Sequence, residues 1–559
     1  MNKQSLQRIF KDILICPVGH AHSAMKHKWF LAIIVAGYLG FSVLAISAQT
    51  GAPGWLETAV PSITVHVNLQ HPRASNTHTG LDKQLPLKSV KPALKIAIQN
   101  RKKGLGTKIL IYPGIYRENL SLMFQESSEG LSPIMLIAKE NGKSVISGSD
   151  IWTDWHQDSS DTLSHTWPHN WGMRPVPEGW PSRLNISEIV RRREMIFVNG
   201  TPLNQVLSVS ELRPSSFFVD EQNHKVYIKL SKEMPASQVT IEVAVRSALL
   251  RVSRIENFVM KGLRFQHDTT GLQGGAVSIM SSRNVLIEDC EFIFNNWSGL
   301  SLARVKNITT RRNVLNYNGA MGWGGIWIKN LSSVDDETSY NNWRGALGGF
   351  SRWSIAGVKH MHVHNATYEG QKAIGNATRG FWLDTDNSGI EVKDACWCKN
   401  LTDGVFLELS QGPISIRNST ICDNGDYGVV ANSSSSVTIE ENTITNNGKS
   451  QIFITGSVQR KSKNWESNDE MLVKTKDWTI ANNTFQSQKS ALLSTPEWKH
   501  FLGSLHAANN VWLEGSAKEV FSIGKTQMSM GTWQDKTRIK FIKKNHGINA
   551  QRTKRKACP

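Results

Sequence analysis

Asn376-Ala-Thr-Arg-Gly380-Phe381-Trp382-Leu383-Asp384 is followed 24 residues later by Asn400-Leu-Thr-Asp-Gly404-Val405-Phe406-Leu407-Glu408, and after the same step by Asn424-Gly-Asp-Tyr-Gly428-Val429-Val430-Ala431-Asn432. Each copy has an Asn, a Gly four residues on, a three-residue β-prone run and then a variable residue. Self-similarity at this period, with one short β-run per repeat, signals a parallel β-helix in which each repeat is one coil. Equivalent positions then stack at the strand spacing of about 4.8 Å. Asp384 and Glu408 fall on one position of successive coils, where nothing in the repeat requires an acid. Stacked like charges repel, so at least one of the two pKa values should rise. The neighbours expected in this column are Asn432 above and, counting from Gly325 and Gly299, Lys329 and Ala303 below.

Two carboxyls about 5–5.5 Å apart are the arrangement of a retaining glycosidase, one as nucleophile and one as acid/base. A solvated column of surface acids or a calcium site would use the same residues. Alternation along each strand puts Trp382 with Asp384 and Phe406 with Glu408 on one face, giving each acid an aromatic neighbour. Flat apolar rings suit pyranose faces, and Trp327, Trp343, Trp353 and Trp382 are the candidates. Arg344, Lys329, Lys359, His360, His362 and Arg379 bring positive charge to coils approaching the acids. A cation beside Asp384 would hold it ionised, while burial against Phe406 would raise Glu408, which is the asymmetry the two roles need.

The chain of 559 residues has room for one large solenoid with smaller appendages, and 39% apolar residues with 43 glycines suit a turn-rich folded β protein rather than disorder. The formal charge of +18 resides partly in the ends. Residues 536–559 form a basic tail, and with no nucleic-acid motif beside it we read it as solvated or envelope-facing. Residues 1–48 are a basic N-terminus and an apolar run, Trp29 to Ala48, ending in small residues. This reads as a secretory signal cut after Ala48, or as a retained membrane anchor. Either sends the rest across a membrane: secreted, periplasmic or at the outer envelope.

Residues 62–151 read as a cap and first coils: a strand at Ile63, a short amphipathic helix within 86–99, then the strand beginning at Lys108 and its Pro113-Gly114 turn. An open solenoid end would expose core and strand edges, hence the cap. From 152 to 246 the pattern breaks. Strand-like runs around Asn199-Gly200 predict an inserted antiparallel β module, which could wall one end of a groove. The main β-helix resumes over 247–535. Gly299 to Gly325 is a step of 26, and the 55 residues from Gly325 to Gly380 fit two longer coils. The Asn-x-Ser/Thr triplets at Asn296, Asn307, Asn400 and Asn418 belong to Asn ladders at coil turns rather than to glycosylation.

Of six cysteines, none has zinc-site spacing. Cys398 and Cys422 lie 24 apart, in one column of neighbouring coils, where a disulfide or a buried thiol stack fits equally. No motif calls for a cofactor.

The run Gly380-Phe-Trp-Leu-Asp384, with Phe406-Leu-Glu408-Leu-Ser-Gln-Gly412-Pro413 one coil on, resembles glycoside hydrolase family 120, and the cap and the insertion agree over roughly 62–535. The resemblance implies a β-xylosidase on a right-handed, pectate-lyase-like β-helix, with Asp384 as nucleophile and Glu408 as acid/base. Where the family places a further carboxylate before an Ala-Gly-Ile-Lys-like run, this chain has Ser354, ahead of Ile355-Ala-Gly-Val-Lys359. The expected substrate is an oligo- or polysaccharide, bound by Trp382, Phe406, Trp353, Trp343, Arg344, Lys359, His360 and Arg379. Two alternatives stay open: a lyase or epimerase on an acidic glycan, with Lys359 as base and the acids on a metal, or a non-catalytic glycan-binding solenoid.

Overall fold

The computed structural model describes residues 53–124, 131–231, 238–457, 459–487, 490–513, 521–537, 542–544 (backbone only) and Cys558. The apolar run at 29–48 and most of the basic tail lie outside these.

The chain is a right-handed parallel β-helix. Among the described residues its largest sheet has 22 strands, paired mostly in parallel between successive coils. Inward positions carry Val, Ile, Leu and Phe, which fill one continuous core. The helix Val90–Lys102 buries Val90, Ala93, Leu94 and Ala97 over the first coils, and so covers the open end of that core.

Two columns of repeated residues set the stacking of the coils. In the first, each Asn side-chain amide donates to the Asn above, from Asn295 through Asn318, Asn341, Asn376, Asn400 and Asn424 to Asn447, at 2.8–3.1 Å. These buried amides thereby replace the water they lose. The second is a column of glycines, Gly299, Gly322, Gly357, Gly380, Gly404 and Gly428. A Cβ on any of them would lie 2.6–3.1 Å from a backbone carbonyl of the next coil. The coil glycine is therefore Gly322, not Gly325, and the counted register shifts by three. Ile326, paired between Ala303 and Met361, occupies the acid column where Lys329 was expected; Lys329 pairs with His364 instead. The span up to Gly380 is one long coil and one ordinary coil. The long one holds the helix Trp343–Leu347 and the loop to Ile355.

Between Ser149 and Ala244 the chain leaves the solenoid. It forms a four-stranded and a five-stranded sheet packed over a separate apolar core that includes Trp167, Phe217 and Ile228. Pairing is antiparallel except between Asn204–Gln205 and Ser216–Asp220. The first of these strands begins at Ser149, three residues before the expected boundary. At the other end, the backbone of Ile542–Lys544 adds to the strand Val511–Leu513, carrying the solenoid into what reads in sequence as tail.

Disulfides join Cys398 to Cys422 on neighbouring coils and Cys396 to Cys558. Cys290 is a buried free thiol.

Candidate active site

The strands Arg379–Asp384 and Val405–Glu408 pair in parallel, with Phe381 opposite Val405, Trp382 opposite Phe406, Leu383 opposite Leu407 and Asp384 opposite Glu408. Phe381, Leu383, Val405 and Leu407 enter the core, so Trp382, Asp384, Phe406 and Glu408 share the outer face. Below them the strand Ala356–Glu369 places Lys359 under Trp382 and Met361 under Asp384. Above Glu408 stands Asn432.

The two carboxylates have different partners. Asp384 pairs with the Lys359 ammonium at 2.9 Å and accepts a bond from the Thr385 hydroxyl at 2.9 Å. Glu408 pairs with Arg460 at 2.8 Å. Burial pushes the Glu408 pKa up, and the charge of Asp384 pushes it further in the same direction; Arg460 and Lys359 only partly offset this.

Trp382 and Phe406 lie 5.3 Å apart and are buried by the cations laid over them. The Lys359 ammonium is 3.7 Å from the Trp382 centroid, and the Arg379 guanidinium is 4.6 Å from Trp382 and 4.9 Å from Phe406. Arg379 is itself fixed by Asp403 at 2.9 Å and by the carbonyl of Arg352. Arg352 opens the exposed segment that carries Trp353, so this loop flanks the pair on the Arg379 side.

Three expected substrate contacts lie elsewhere. His360 points into the solenoid core, where it bonds Tyr368 at 2.6 Å and meets Trp323 edge-on; burial drives its pKa down to about 3. Its neighbours Lys359 and Met361 point out because successive strand residues alternate. Arg344 is fully buried, and its guanidinium donates to the carbonyls of Ile189 and Glu194 and to Gln205. It anchors the inserted module to the solenoid. Trp343 packs with Met195, Phe197 and Phe294 at the same junction.

One feature has no repeat signal to announce it. The segment after Gly456 forms a hairpin of Lys461–Lys463 against Glu470–Leu472. It supplies Arg460 to Glu408, the Trp465 amide to Asp386 at 3.0 Å, and Glu466 to Lys329 at 2.8 Å and His364 at 3.0 Å. Asp386 also accepts from His362 and Gln411. Burial alone would raise the Asp386 pKa, but these donors hold it far below the ordinary carboxylate range. The hairpin thus forms one wall of a groove whose floor is the outer face of the sheet.

A model of the NosD family, described as periplasmic copper-binding protein, matches residues 350–514. Among the described residues, only the sulfurs of Cys396, Cys398 and Cys558 converge as a set of His, Cys, Asp or Glu ligand atoms. All three are consumed in disulfides and offer no thiolate, so they do not fit copper in this form. No curated protein matches the chain. Among solved structures, XylC in complex with xylose superposes with a TM-score of 0.65 at 16% identity, over 83% of this chain and 86% of that one. The A-module of the Azotobacter vinelandii mannuronan C-5 epimerase AlgE6 gives 0.45 at 14% identity, over 78% and 94%. At 16% identity the likeness to XylC shows the fold alone, a parallel β-helix.

Proposed function

We propose that the chain is an extracytoplasmic glycan-active enzyme, a retaining glycosidase with Asp384 as nucleophile and Glu408 as acid/base. The observation that carries this reading is the in-register pair of outward carboxylates in split environments: Asp384 on the Lys359 ammonium, Glu408 on the Arg460 guanidinium but with its pKa raised by burial and by Asp384. Asp384 attacks the anomeric carbon as Glu408 gives its proton to the departing glycosidic oxygen. Glu408, now a carboxylate, takes a proton from water as that water displaces Asp384 from the sugar. The family resemblance and the fold shared with XylC support a β-xylosidase-like specificity. Two disulfides, the apolar run at 29–48 and the periplasmic description of the NosD family support the location.

The cluster of Lys359, Arg379 and Arg460 around the acids favours a second reading, a lyase or epimerase in which Lys359 abstracts a proton beside a uronate. Its ion pair with Asp384 opposes this, because a base must shed the proton that the pair retains.

The test is turnover of aryl glycosides, β-xylosides first. Asp384→Ala should abolish it with the fold intact. Glu408→Ala should still form the glycosyl-enzyme from a substrate with a good leaving group, and azide should rescue its breakdown. Full activity in either variant removes the glycosidase reading. An unsaturated product absorbing in the ultraviolet, lost in Lys359→Ala, would install the lyase.

A further inference from the structure

On the side of the groove toward the N-terminus, a second column of like charges stands in register. Arg283 pairs with Lys306, Lys306 with Lys329, and Lys329 with His364, one per coil over about 14 Å at the strand spacing. Like charges directly opposite on neighbouring strands are destabilising, and the fold has no need of them here. Acids meet three of its four members: Glu256 binds Arg283 at 2.6 Å, Glu466 of the hairpin binds Lys329 and His364, and Asp386 also faces His364. Lys306, in the middle, is exposed and has no carboxylate partner among the described residues; the same holds for Arg304, two residues before it across a bend.

This bend recurs on successive coils with a left-handed residue at Ser281, Arg304, Trp327 and His362. It carries an aromatic row beside the charges. The Arg304 guanidinium lies 4.2 Å from the Trp327 centroid, Trp327 stacks on His362 at 6.1 Å, and Lys306 faces Trp465 of the hairpin at 6.0 Å. On the acid side of the bend, the columns that hold Asp384 and Trp382 carry Ala303, Ser301, Gly324 and Ile326 on the two middle coils, with Met280 and Ser278 before them and Met361 and Lys359 after. On the coil of Arg304 and Lys306 both positions are small, Ala303 and Ser301, so the two cations rise beside a low floor there.

We propose that this track binds the non-reacting part of an anionic glycan, one bearing carboxylates or sulfate esters along its length, and feeds it to the Asp384–Glu408 pair. The inference rests on that pair marking the glycan site. The rise of one coil is close to the length of one sugar residue, so successive acidic groups meet successive positions of the column, of which Lys306, with Arg304 beside it, is the exposed cation without a carboxylate. Exposed cations in a groove speed capture and set specificity, and their effect weakens as salt screens them.

The test is binding by the full chain carrying Asp384→Ala, so that its outcome does not depend on turnover. Matched oligosaccharides are compared by calorimetry at low and physiological salt: neutral xylo-oligomers, uronate oligomers and sulfated oligomers. Uronate or sulfated oligomers should bind at least tenfold tighter than neutral ones, and whichever does so identifies the anionic group. Lys306→Gln and Arg304→Gln should each weaken that binding about tenfold and flatten its salt dependence; Lys225→Gln on the inserted module should do neither. Equal affinity for neutral and anionic oligomers, or equal competition by polyglutamate, overturns the proposal. Tight anionic binding without hydrolysis of any glycoside by the unmutated chain would leave it standing and remove the glycosidase reading alone.

Discussion

The Lys359 ammonium lies 2.9 Å from the Asp384 carboxylate and 3.7 Å from the centre of the Trp382 ring. One residue therefore orients the proposed nucleophile and covers the aromatic floor beside it. Lys359→Met keeps the packing against Trp382 and removes the charge. The expected result is a fall in kcat of about 10²-fold, the cost typical of one lost electrostatic contact at a reacting group, with the melting temperature little changed. An unchanged kcat would make Lys359 a packing residue.

Arg460 reaches Glu408 from the hairpin and lowers a pKa that burial and Asp384 raise. A general acid works only while protonated, so activity falls as pH rises through its pKa. Removing Arg460 lets that pKa climb further. Arg460→Gln should displace the alkaline limb of the kcat/KM profile to higher pH, while Asp384 still supplies the nucleophile. A limb that stays put or moves down separates Glu408 from the acid role.

How far the sequence could be read follows from where the repeat is strict. The step of 24 residues places Asp384 and Glu408 opposite one another, because any slip would move Phe381 and Leu383 out of the core. Met321-Gly322-Trp323-Gly324-Gly325 offers three glycines, and pattern alone does not say which one faces a carbonyl of the next coil. Counting from Gly325 puts Lys329 in the acid column, which Ile326 occupies. His360 was legible in principle: counting back from Leu383 by the 23-residue step from Gly357 to Gly380 sends it inward. Arg460, Trp465 and Glu466 were not legible, since they lie on an insertion whose docking is set by long-range closure rather than periodicity. Arg344 reads as a groove cation in sequence because no local signal reports that the inserted module closes over it.

The glycine column makes a sharp stability prediction. A Cβ at Gly380 would sit 2.7 Å from the Gly404 carbonyl and 2.8 Å from the Asn400 side-chain amide, both fixed by the next coil. Gly380→Ala should cost several kcal/mol, about 3 or more by analogy with overpacked cores, or prevent soluble expression. Gly104 has nothing within 4 Å of such a Cβ, but its φ of +75° still disfavours Ala. There Ala should cost only about 1 kcal/mol. Equal denaturation midpoints for the two variants would contradict the close approach of the coils.

Cys398 and Cys422 close a loop of one coil. Cys422→Ser should lower stability by about 2–4 kcal/mol in non-reducing denaturation, and a reductant should bring the unmutated chain toward the variant. If the reductant leaves the midpoint unmoved, the bridge is not formed in solution.

The last prediction concerns the hairpin. His364 sits between Asp386, 3.3 Å from its Nε2, and Glu466, 3.0 Å from its Nδ1. Burial alone would lower its pKa, but the two carboxylates outweigh burial and raise it above the ordinary 6.5. A group whose folded pKa is raised stabilises fully below its unfolded value, and that contribution is lost as pH rises through the folded value. Asp386 has the opposite sign: its folded pKa is depressed, so its contribution is present above 3.8 and is lost only as pH falls well below that. Attachment of the hairpin should therefore be firmest between about pH 4 and 6.5 and loosen on the alkaline side, as His364 gives up its proton and only Lys329 still holds Glu466. Amide exchange over 459–475, corrected for the intrinsic effect of pH, should accelerate between pH 6 and 9 in the unmutated chain. In His364→Gln the exchange should be faster at pH 6 and nearly independent of pH. An unmutated chain with the same flat profile would mean that the salt bridges of His364 do not hold the hairpin.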